Sequence, residues 1–313
     1  MKIVLLEELG VENETIEKYK KKLEELGHTF ISYKKDNDIN KQIERVSDAD
    51  VLMLANMPLD EKVVENAKNL KYIDVAFTGV DHIPVELAKK NGIAISNASG
   101  YATDAVAELC ISFMIQLLRN IKENEESLRN NGTKEEFVGN LLNSKTVGII
   151  GAGEIGRRVA FLCKAFGCKV IAYNRSVIDD SNIDEQMELD ELLKEADIVS
   201  LHCPLTKETE GMIGKIELSL MKNSAILINT ARGAIVNTDD LVYALNNDMI
   251  RGAAIDVYDK EPPLSKDYPL LKAKNVILTP HMGFSSLESM EKRADIVFDN
   301  LFSYLDGNLK NKI

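Results

Sequence analysis

Short apolar runs alternate with amphipathic stretches along most of the chain. In the N-terminal part, runs rich in Val, Ile and Leu predict five strands: Ile3–Leu6, Thr29–Tyr33, Val51–Leu54, Tyr72–Ala76 and Ile93–Ile95. The stretches between them have helical spacing and predict four helices: Thr15–Leu26, Ile39–Val46, Asp60–Asn66 and Val85–Lys90. Strands that are separated by helices form βαβ units, so we expect a parallel sheet.

A turn-rich break separates this part from a second one with the same rhythm. After Asn97–Gly100, apolar residues with helical spacing follow Thr103 and predict one long connecting helix. The polar stretch Glu123–Asn140 then leads into six predicted strands: Thr146–Ile150, Lys169–Tyr173, Ile198–Leu201, Ala225–Ile228, Ala253–Asp256 and Val276–Leu278. Helices are predicted at Gly156–Phe166, Glu188–Lys194, Ile216–Met221 and Asp239–Asn246. We expect a second parallel α/β sheet.

One turn in the second part has the spacing of a dinucleotide-binding turn. Gly151-x-Gly153-x-x-Gly156 follows a predicted strand, and a predicted helix begins at its end. The first glycine permits a tight turn, the second lets a diphosphate approach the backbone, and the third lets the helix pack against the strand. The helix N-terminus favours the phosphate charge. We therefore expect a dinucleotide along Gly151, Gly153, Glu154, Ile155 and Gly156.

The C-terminal segment departs from the alternation and indicates how the domains connect. Ser285–Glu288 is a capping-box pattern, the residues that follow up to Leu305 have amphipathic spacing, and no strand is predicted after them. We expect this helix to return to the first domain. The fold class is then α/β with two doubly wound parallel sheets. A Rossmann cofactor domain, residues 99–285, is inserted into a flavodoxin-like substrate domain formed by residues 1–98 and 286–313.

Three predicted strands of the second domain end beside reactive side chains, namely Arg232, Glu261 and His281. Ligands of open α/β sheets bind at the carboxyl ends of the strands. Arginine can hold a carboxylate with two parallel hydrogen bonds, and histidine can exchange a proton near neutral pH. A glutamate bonded to the other imidazole nitrogen would orient the ring and favour its protonated form. Beside a nicotinamide, this trio fits reduction of a 2-keto acid to a 2-hydroxy acid.

The same residues belong to motifs that resemble the D-isomer-specific 2-hydroxyacid dehydrogenases. Besides the glycine turn, the motifs are Gly79–Ile83, Ala105–Glu108, His202–Thr206, Asn229–Gly233, Asp256–Tyr258, Glu261-Pro262 and Pro280-His281. The resemblance covers essentially the whole chain. It implies that Arg232 binds the substrate carboxylate, that His281 is the acid/base and that Glu261 supports His281. It also implies a homodimer formed through the cofactor domains.

The resemblance further implies which residues contact the two ligands. Asp256 would hold the nicotinamide carboxamide, and the loop of Thr78, Gly79 and Val80 would bind the substrate carboxylate through backbone amides. Other cofactor contacts are expected from His202, Cys203, Pro204, Thr209, Thr230, Ala231 and Gly283. His202 is expected to line the cofactor or to be structural, and His82 to support the carboxylate-binding loop by a hydrogen bond.

The second strand of the cofactor domain bears on the choice between NAD(H) and NADP(H). NAD-preferring sites place an acidic residue at the end of this strand to bind the ribose hydroxyls, and here Asn174 occupies that position. The loss of the carboxylate removes repulsion of a 2′-phosphate, which Arg175 and Ser176 could bind. We therefore expect NADP(H) to be preferred. Asp179 and Asp180 would oppose the phosphate if they turned inward.

Composition excludes several other classes of function. The 313 residues suit two domains, and the formal net charge of −12 argues against nucleic acid or an anionic membrane as partner. The four cysteines have no metal-ligand spacing, and the four histidines have no paired spacing, so we expect no metal site. The N-terminus has acidic residues soon after its first apolar run and lacks a secretory pattern. A cytoplasmic protein is expected.

Alternatives remain for both the residues and the activity. Arg232, Glu261 and His281 could each be structural. Formate or phosphite oxidation uses the same fold, and a dinucleotide-sensing interaction protein without turnover would need only the glycine turn. The substrate is expected to be a small keto acid, such as glyoxylate, hydroxypyruvate or a pyruvate-like compound. Phe284 and Tyr101 would add bulk near it, as would Met53 and Met57 if their loop turns inward.

Overall fold

The N-terminal apolar runs form one parallel sheet in this computed structural model, which describes residues 1–134 and 137–313. Its strands are β1 (Lys2–Leu5), β2 (Thr29–Ser32), β3 (Val51–Leu54), β4 (Tyr72–Val75) and β5 (Ala94–Asn97). The helices between them are α1 (Asn13–Glu25), α2 (Ile39–Val46), α3 (Glu61–Asn66) and α4 (Val85–Lys90). The strand order β2-β1-β3-β4-β5 is the doubly wound order of flavodoxin-like folds.

Two helices lead into the second sheet. The first, α5 (Thr103–Arg119), is the predicted connecting helix, and the second, α6 (Ile121–Arg129), was not predicted from the polar sequence there. Asn120 lies between them in the left-handed conformation, with φ of 48°. No residue of α6 is buried, so this helix forms without contributing a side chain to the core.

The second sheet has the strand order β12-β11-β10-β9-β6-β7-β8, all parallel. Its strands are β6 (Thr146–Ile150), β7 (Lys169–Tyr173), β8 (Glu185–Gln186), β9 (Ile198–Leu201), β10 (Ile226–Asn229), β11 (Gly252–Ile255) and β12 (Val276–Leu278). The helices are α7 (Glu154–Ala165), α8 (Leu189–Glu195), α9 (Lys215–Leu220) and α10 (Thr238–Asn246). This is the Rossmann order with one added strand at the β12 edge, and the two-residue strand β8 was not predicted.

The chain divides into two units by its internal contacts. Unit 1 consists of Met1–Ala102 and Ser285–Ile313, and unit 2 consists of Thr103–Phe284. The predicted fold class, a Rossmann sheet inserted into a flavodoxin-like one, is confirmed by the two strand orders. Every residue of β3, β4, β9, β10 and β11 is buried, which explains why these segments are predominantly apolar.

The last helix, α11 (Leu287–Leu305), packs on the sheet of unit 1. Its Phe298 stacks on Tyr19 of α1, with ring centroids 3.9 Å apart. The predicted capping box is wrong by one position, because Ser286 is the N-cap and its hydroxyl accepts a hydrogen bond from the Ser289 amide. After the helix, Lys312 forms an antiparallel bridge with Ser96 of β5. Among the described residues, no helix combines the length and the apolar character needed to cross a membrane.

The carboxyl group of Asp74 is fully buried on β4, where Asn300 of α11 donates a hydrogen bond to its Oδ1 at 3.2 Å. Burial raises the pKa of Asp74 well above its usual range, although Asn300 and Tyr72 oppose the shift. The folded protein therefore retains a proton that the unfolded chain releases above about pH 4.

The Asp74→Asn variant should gain stability relative to the natural protein as the pH rises from 4.5 to 8. The stabilising effect of the raised pKa is complete below the unfolded value and is lost at higher pH, at up to about 1.4 kcal/mol per pH unit. Urea denaturation of both proteins at several pH values measures the difference. The exposed Asp306→Asn variant controls for the loss of one acidic group. A difference that does not change with pH would contradict the prediction.

Candidate active site

The three glycines between β6 and α7 differ in what surrounds them. Gly151 has φ of +95°, and a Cβ there would lie 2.6 Å from the Cys203 amide nitrogen. A Cβ on Gly156 would lie 2.2 Å from the Gly151 carbonyl oxygen. At Gly153, by contrast, a Cβ would meet no atom within 4 Å. The first and third glycines thus allow close packing, whereas the second faces open space at the N-terminus of α7. Such a cradle fits a diphosphate.

Asn174 connects the end of β7 to this glycine turn. Its Oδ1 accepts a hydrogen bond from the Ala152 amide at 3.2 Å, and its Nδ2 donates to the carbonyl and hydroxyl oxygens of Ser176, both at 3.0 Å. Arg175 and Ser176 are exposed beside it. The structure therefore brings the predicted ribose-binding segment next to the predicted diphosphate-binding turn.

The acidic residues that follow this segment are engaged by protein groups. Arg157 of α7 lies 3.5 Å from the carboxylate of Asp180 and donates a hydrogen bond to the carbonyl oxygen of Asp179 at 2.8 Å. A hydrogen bond from the Asn182 backbone is the largest influence that lowers the pKa of Asp180. The Asp180 charge is partly compensated as a result.

The loop after β9 lies against the glycine turn. His202 Nε2 is 2.8 Å from the Ser200 hydroxyl, and burial lowers the pKa of His202 to about 4, so the ring is neutral at physiological pH. The Thr209 hydroxyl donates to the Pro204 carbonyl at 2.7 Å and accepts from the Thr206 amide at 2.8 Å. These bonds fix the loop that carries His202, Cys203 and Pro204. Burial raises the pKa of the Cys203 thiol to about 11.

Asn229 shapes the turn that carries Arg232. Its side chain accepts a hydrogen bond from the Ala231 amide at 3.1 Å and donates to the Arg232 carbonyl at 3.0 Å. Thr230 is held by the Cys110 thiol, 3.2 Å from its hydroxyl. Behind the turn, a Cβ on Gly233 would lie 1.9 Å from the Tyr258 carbonyl carbon. Only glycine therefore allows the turn to lie this close to the segment after β11.

The Asp256 carboxylate binds the chain on both sides of residue His281. Its carboxylate accepts hydrogen bonds from the Thr279 hydroxyl at 2.5 Å and from the amides of Met282 and Gly283, each at 2.8 Å. Burial raises the pKa of Asp256, while these three bonds lower it. His281 itself adopts φ of +56°, the left-handed region that non-glycine residues rarely occupy. A carboxylate has about four acceptor positions, which leaves one for a ligand.

The side chain of His281 is half-buried and oriented by its neighbours. Nδ1 lies 2.8 Å from Oε2 of Glu261, whose own side chain is 48% exposed. Phe284 packs edge-on against the imidazole, with centroids 5.7 Å apart. The bond at Nδ1 directs Nε2 away from the glutamate. A protonated imidazole in this arrangement can donate its Nε2 proton to a reacting oxygen.

The predicted substrate loop lies in unit 1, after β4. Asn97 donates a hydrogen bond to the Thr78 carbonyl at 2.7 Å, and the Ile83 amide donates to the Val80 carbonyl at 3.2 Å. Gly79 and Val80 are half-buried and Thr78 is exposed. Met53 and Met57, which were expected to add bulk near a ligand only if their loop turned inward, have fully buried side chains.

Within unit 2, the structure brings together the segments that carry Arg232, Glu261 and His281. They follow β10, β11 and β12, which are adjacent in the sheet. The Tyr258 hydroxyl donates to the Thr279 carbonyl at 2.9 Å and connects the second segment to the third. No cluster of three potential metal ligands occurs among the residues that the structure describes.

Comparison with known proteins identifies the family. The sequence profile "D-isomer specific 2-hydroxyacid dehydrogenase, NAD binding domain" matches residues 111–283, more than half of the chain. A glyoxylate reductase from Thermococcus litoralis is 40% identical over 286 residues, which cover 86% of each chain. The chain belongs to the D-isomer-specific 2-hydroxyacid dehydrogenase family. The resemblance drawn from its motifs is confirmed.

Two further relatives of this dehydrogenase are reductases by name. A hydroxypyruvate reductase from Blautia hydrogenotrophica is 32% identical over 304 residues, or 94% of each chain. The solved structure of an acyclic imino acid reductase, Bsp5, in complex with NADPH and D-Arg has a TM-score of 0.92, with 32% identity over the full length of both chains. The protein is therefore an NAD(P)-dependent 2-hydroxyacid dehydrogenase, an enzyme whose family binds a nicotinamide dinucleotide.

Sequence reasoning missed several residues that build this site. Ser200 pairs with His202, Asn229 shapes the arginine turn, and Thr279 bonds to Asp256. All three are polar residues within or at the end of apolar strands. Because buried polar groups need hydrogen-bond partners, their position was a usable signal.

Two alanine substitutions in the glycine turn should have opposite consequences. Gly153→Ala should fold normally, since its Cβ meets open space, but should weaken NADPH binding about tenfold by occupying the cradle. Gly156→Ala should destabilise the protein by about 3 kcal/mol through the clash with Gly151. Thermal unfolding and NADPH titration measure the two effects, and each variant controls for the other. Unchanged NADPH binding by Gly153→Ala would contradict the role of the turn.

Proposed function

We propose that this dehydrogenase reduces a small 2-keto acid to the D-2-hydroxy acid. The observation that carries the proposal is the 2.8 Å contact between His281, which follows β12, and Glu261, which follows β11. Strand β11 is in turn adjacent to β10, which leads into the turn of Arg232. Glyoxylate, hydroxypyruvate and pyruvate-like acids are the proposed substrates. The names of the relatives from Thermococcus litoralis and Blautia hydrogenotrophica support them, and Phe284 beside His281 favours compact side chains.

Each of the three side chains has a separate role in the reaction. The nicotinamide dinucleotide, when bound, supplies the hydride for the carbonyl carbon. His281 donates the proton that the carbonyl oxygen takes up, and Glu261 holds the imidazole through Nδ1. Arg232 binds the substrate carboxylate and polarises the neighbouring carbonyl. In the reverse direction His281 accepts the hydroxyl proton.

The proposed cofactor residues line the carboxyl edge of the sheet in unit 2. Gly151, Gly153, Glu154, Ile155 and Gly156 would hold the diphosphate, and Asp256 would bind the carboxamide through its remaining acceptor position. Further contacts are assigned to His202, Cys203, Pro204, Thr209, Thr230, Ala231 and Gly283. We propose unit 2 as the cofactor domain and unit 1 as the substrate domain, with backbone amides of Thr78, Gly79 and Val80 as carboxylate ligands.

The apolar surface of unit 2 supports a homodimer. Leu128, Val138 and Leu141 are 73%, 81% and 68% exposed, and they lie in the segment between α6 and β6 or close to it. Three large apolar side chains so exposed within fourteen residues of sequence favour burial against a second copy of the chain. A single-chain mass in sedimentation equilibrium would contradict this assembly.

The four free cysteines, three of them buried, support a reducing cytoplasmic location.

NADPH should be the better cofactor, with a KM about tenfold below that of NADH. Asn174 has no charge to repel a 2′-phosphate, Arg175 is exposed beside it, and Arg157 partly compensates Asp180. Arg175→Ala should remove most of the preference, since a charge-assisted hydrogen bond contributes about 1.5–3 kcal/mol. Initial rates with both cofactors measure this. A KM for NADH tenfold below that for NADPH would contradict it.

A substrate screen tests the activity, and His281→Ala tests the mechanism. NADPH and NADH absorbance should decay with at least one of the three proposed acids, and chiral analysis should find the D product. His281→Ala should lower kcat/KM about a thousandfold and leave the Kd for NADPH within about threefold. His28→Ala is the matched control, because it changes a histidine of unit 1 whose ring contacts the amino group of Met1. Absence of turnover would refute the activity, and equal loss of NADPH binding in His281→Ala would refute the assigned role.

A further inference from the structure

The strand order of unit 1 reverses between β1 and β3. Chain segments that leave the two strands diverge there, and open α/β sheets bind ligands in the resulting crevice. In this protein a side chain occupies the crevice. Glu7 follows β1, is 4% exposed, and directs its carboxylate at the loop after β3. We call residues 55–59 the β3 loop.

The Glu7 carboxylate fixes the backbone of the β3 loop. One oxygen, Oε1, accepts hydrogen bonds from the amides of Ala55 at 2.8 Å and Met57 at 2.7 Å. Two amides that converge on one point form an anion-binding concavity. Glu7 fills it with an internal anion, so the substrate carboxylate has no place there. Lys35, whose Nζ is 3.9 Å from the other oxygen, partly compensates the charge.

The other side of the β3 loop is bound to the carboxylate loop, residues 78–83. His82 Nε2 donates to the Ala55 carbonyl at 2.8 Å, and the Leu59 amide donates to the His82 carbonyl at 2.9 Å. A continuous series of hydrogen bonds therefore runs from Glu7 through the β3 loop to His82. The backbone amides proposed to bind the substrate carboxylate lie two to four residues before His82.

A second contact secures the segment that carries Glu7. Arg293 of α11 is 4% exposed and donates a hydrogen bond to the Leu9 carbonyl at 2.6 Å. Its guanidinium lies 5.7 Å from the centre of the Tyr101 ring. Burial lowers the pKa of Arg293, whereas Tyr101 and the Glu7 carboxylate raise it. The strand end that presents Glu7 is thus tied to α11, and Glu7 is not free to move with the loop.

We propose that Glu7 is a positioning residue for substrate binding, which acts through the β3 loop and His82 on the carboxylate loop. This inference rests on the proposed function of the carboxylate loop. Glu7 contacts neither the 2-keto acid nor the dinucleotide. Its removal should raise the KM for the 2-keto acid and leave hydride transfer at saturation nearly unchanged, because uniform binding is lost and the groups of unit 2 are intact.

Three variants separate positioning from stability. Glu7→Ala removes the acceptor, whereas Glu7→Gln keeps an oxygen that can accept from both amides. Asp50→Ala is the matched structural control. Asp50 accepts a hydrogen bond from the Lys2 amide at 2.8 Å and another from Lys71 Nζ at 2.9 Å. These bonds lie at the amino ends of the strands, whereas Glu7 lies at the carboxyl ends.

The kinetic readout is the division of effects between KM and kcat. Glu7→Ala should raise the KM for the keto acid about tenfold, with kcat and the KM for NADPH within about threefold of the natural values. Glu7→Gln should restore the KM to within about threefold. Asp50→Ala should lower the melting temperature without changing the KM. A fall in kcat at constant KM in Glu7→Ala, or the same KM in Glu7→Ala and Asp50→Ala, would overturn the proposal.

Hydrogen–deuterium exchange gives a readout that does not need turnover. Peptides covering residues 53–59 and 78–83 should be protected in the natural protein and in Glu7→Gln, and both should exchange faster in Glu7→Ala. If no keto acid is reduced but this pattern is found, the proposed function fails and the connection between the loops stands. Fast exchange of residues 53–59 in the natural protein overturns the connection itself. Should Glu7→Ala not fold, His82→Phe must give the same faster exchange in both peptides.

Discussion

The carboxylate of Asp256 lies where three adjacent strand ends meet, and the geometry of the site in unit 2 depends on its hydrogen bonds. Thr279, Met282 and Gly283 all donate to it, so the chain is held on both sides of His281. A non-glycine residue at φ of +56° is costly, at about 1–3 kcal/mol, and persists only where the surroundings determine it. The buried carboxylate provides that determination. Glu261 can then orient an imidazole whose backbone is already fixed.

Unit 1 uses a buried carboxylate in a similar way. Glu7 accepts from two backbone amides across a switch point, as Asp256 accepts from two backbone amides across a strand end. Loops at the carboxyl ends of parallel strands have backbone donors that the sheet does not satisfy. An acidic residue at a neighbouring strand end satisfies them and fixes the loop, because hydrogen bonds to a charged acceptor are about twice as strong as neutral ones. In each unit a buried carboxylate thereby holds irregular loops at the carboxyl edge of the sheet.

The sequence was informative wherever one local rule decided the outcome. Strands β3, β6, β7, β9 and β12 have the predicted bounds, because buried parallel strands are predominantly apolar. Helix α6 was missed because its stretch is mostly polar, and no residue of it is buried. The predicted capping box began at Ser285, whereas the structure uses the adjacent Ser286 as the N-cap of α11. The partners of Glu7 lie 48 and 50 residues along the chain, a distance over which periodicity carries no information.

The same limit applies to the end of β7, where the residue types were readable but their partners were not. The sequence shows two aspartates shortly after Asn174, which could repel a 2′-phosphate. Whether they do depends on Arg157 of α7. Its side chain extends to the segment after β7, where it pairs with Asp180 and donates a hydrogen bond to the Asp179 carbonyl. Asn174 meanwhile directs its own amide at Ser176 and accepts from the glycine turn. The polarity of this edge is thus set by contacts between α7 and the segment after β7, where the Arg175 side chain is exposed.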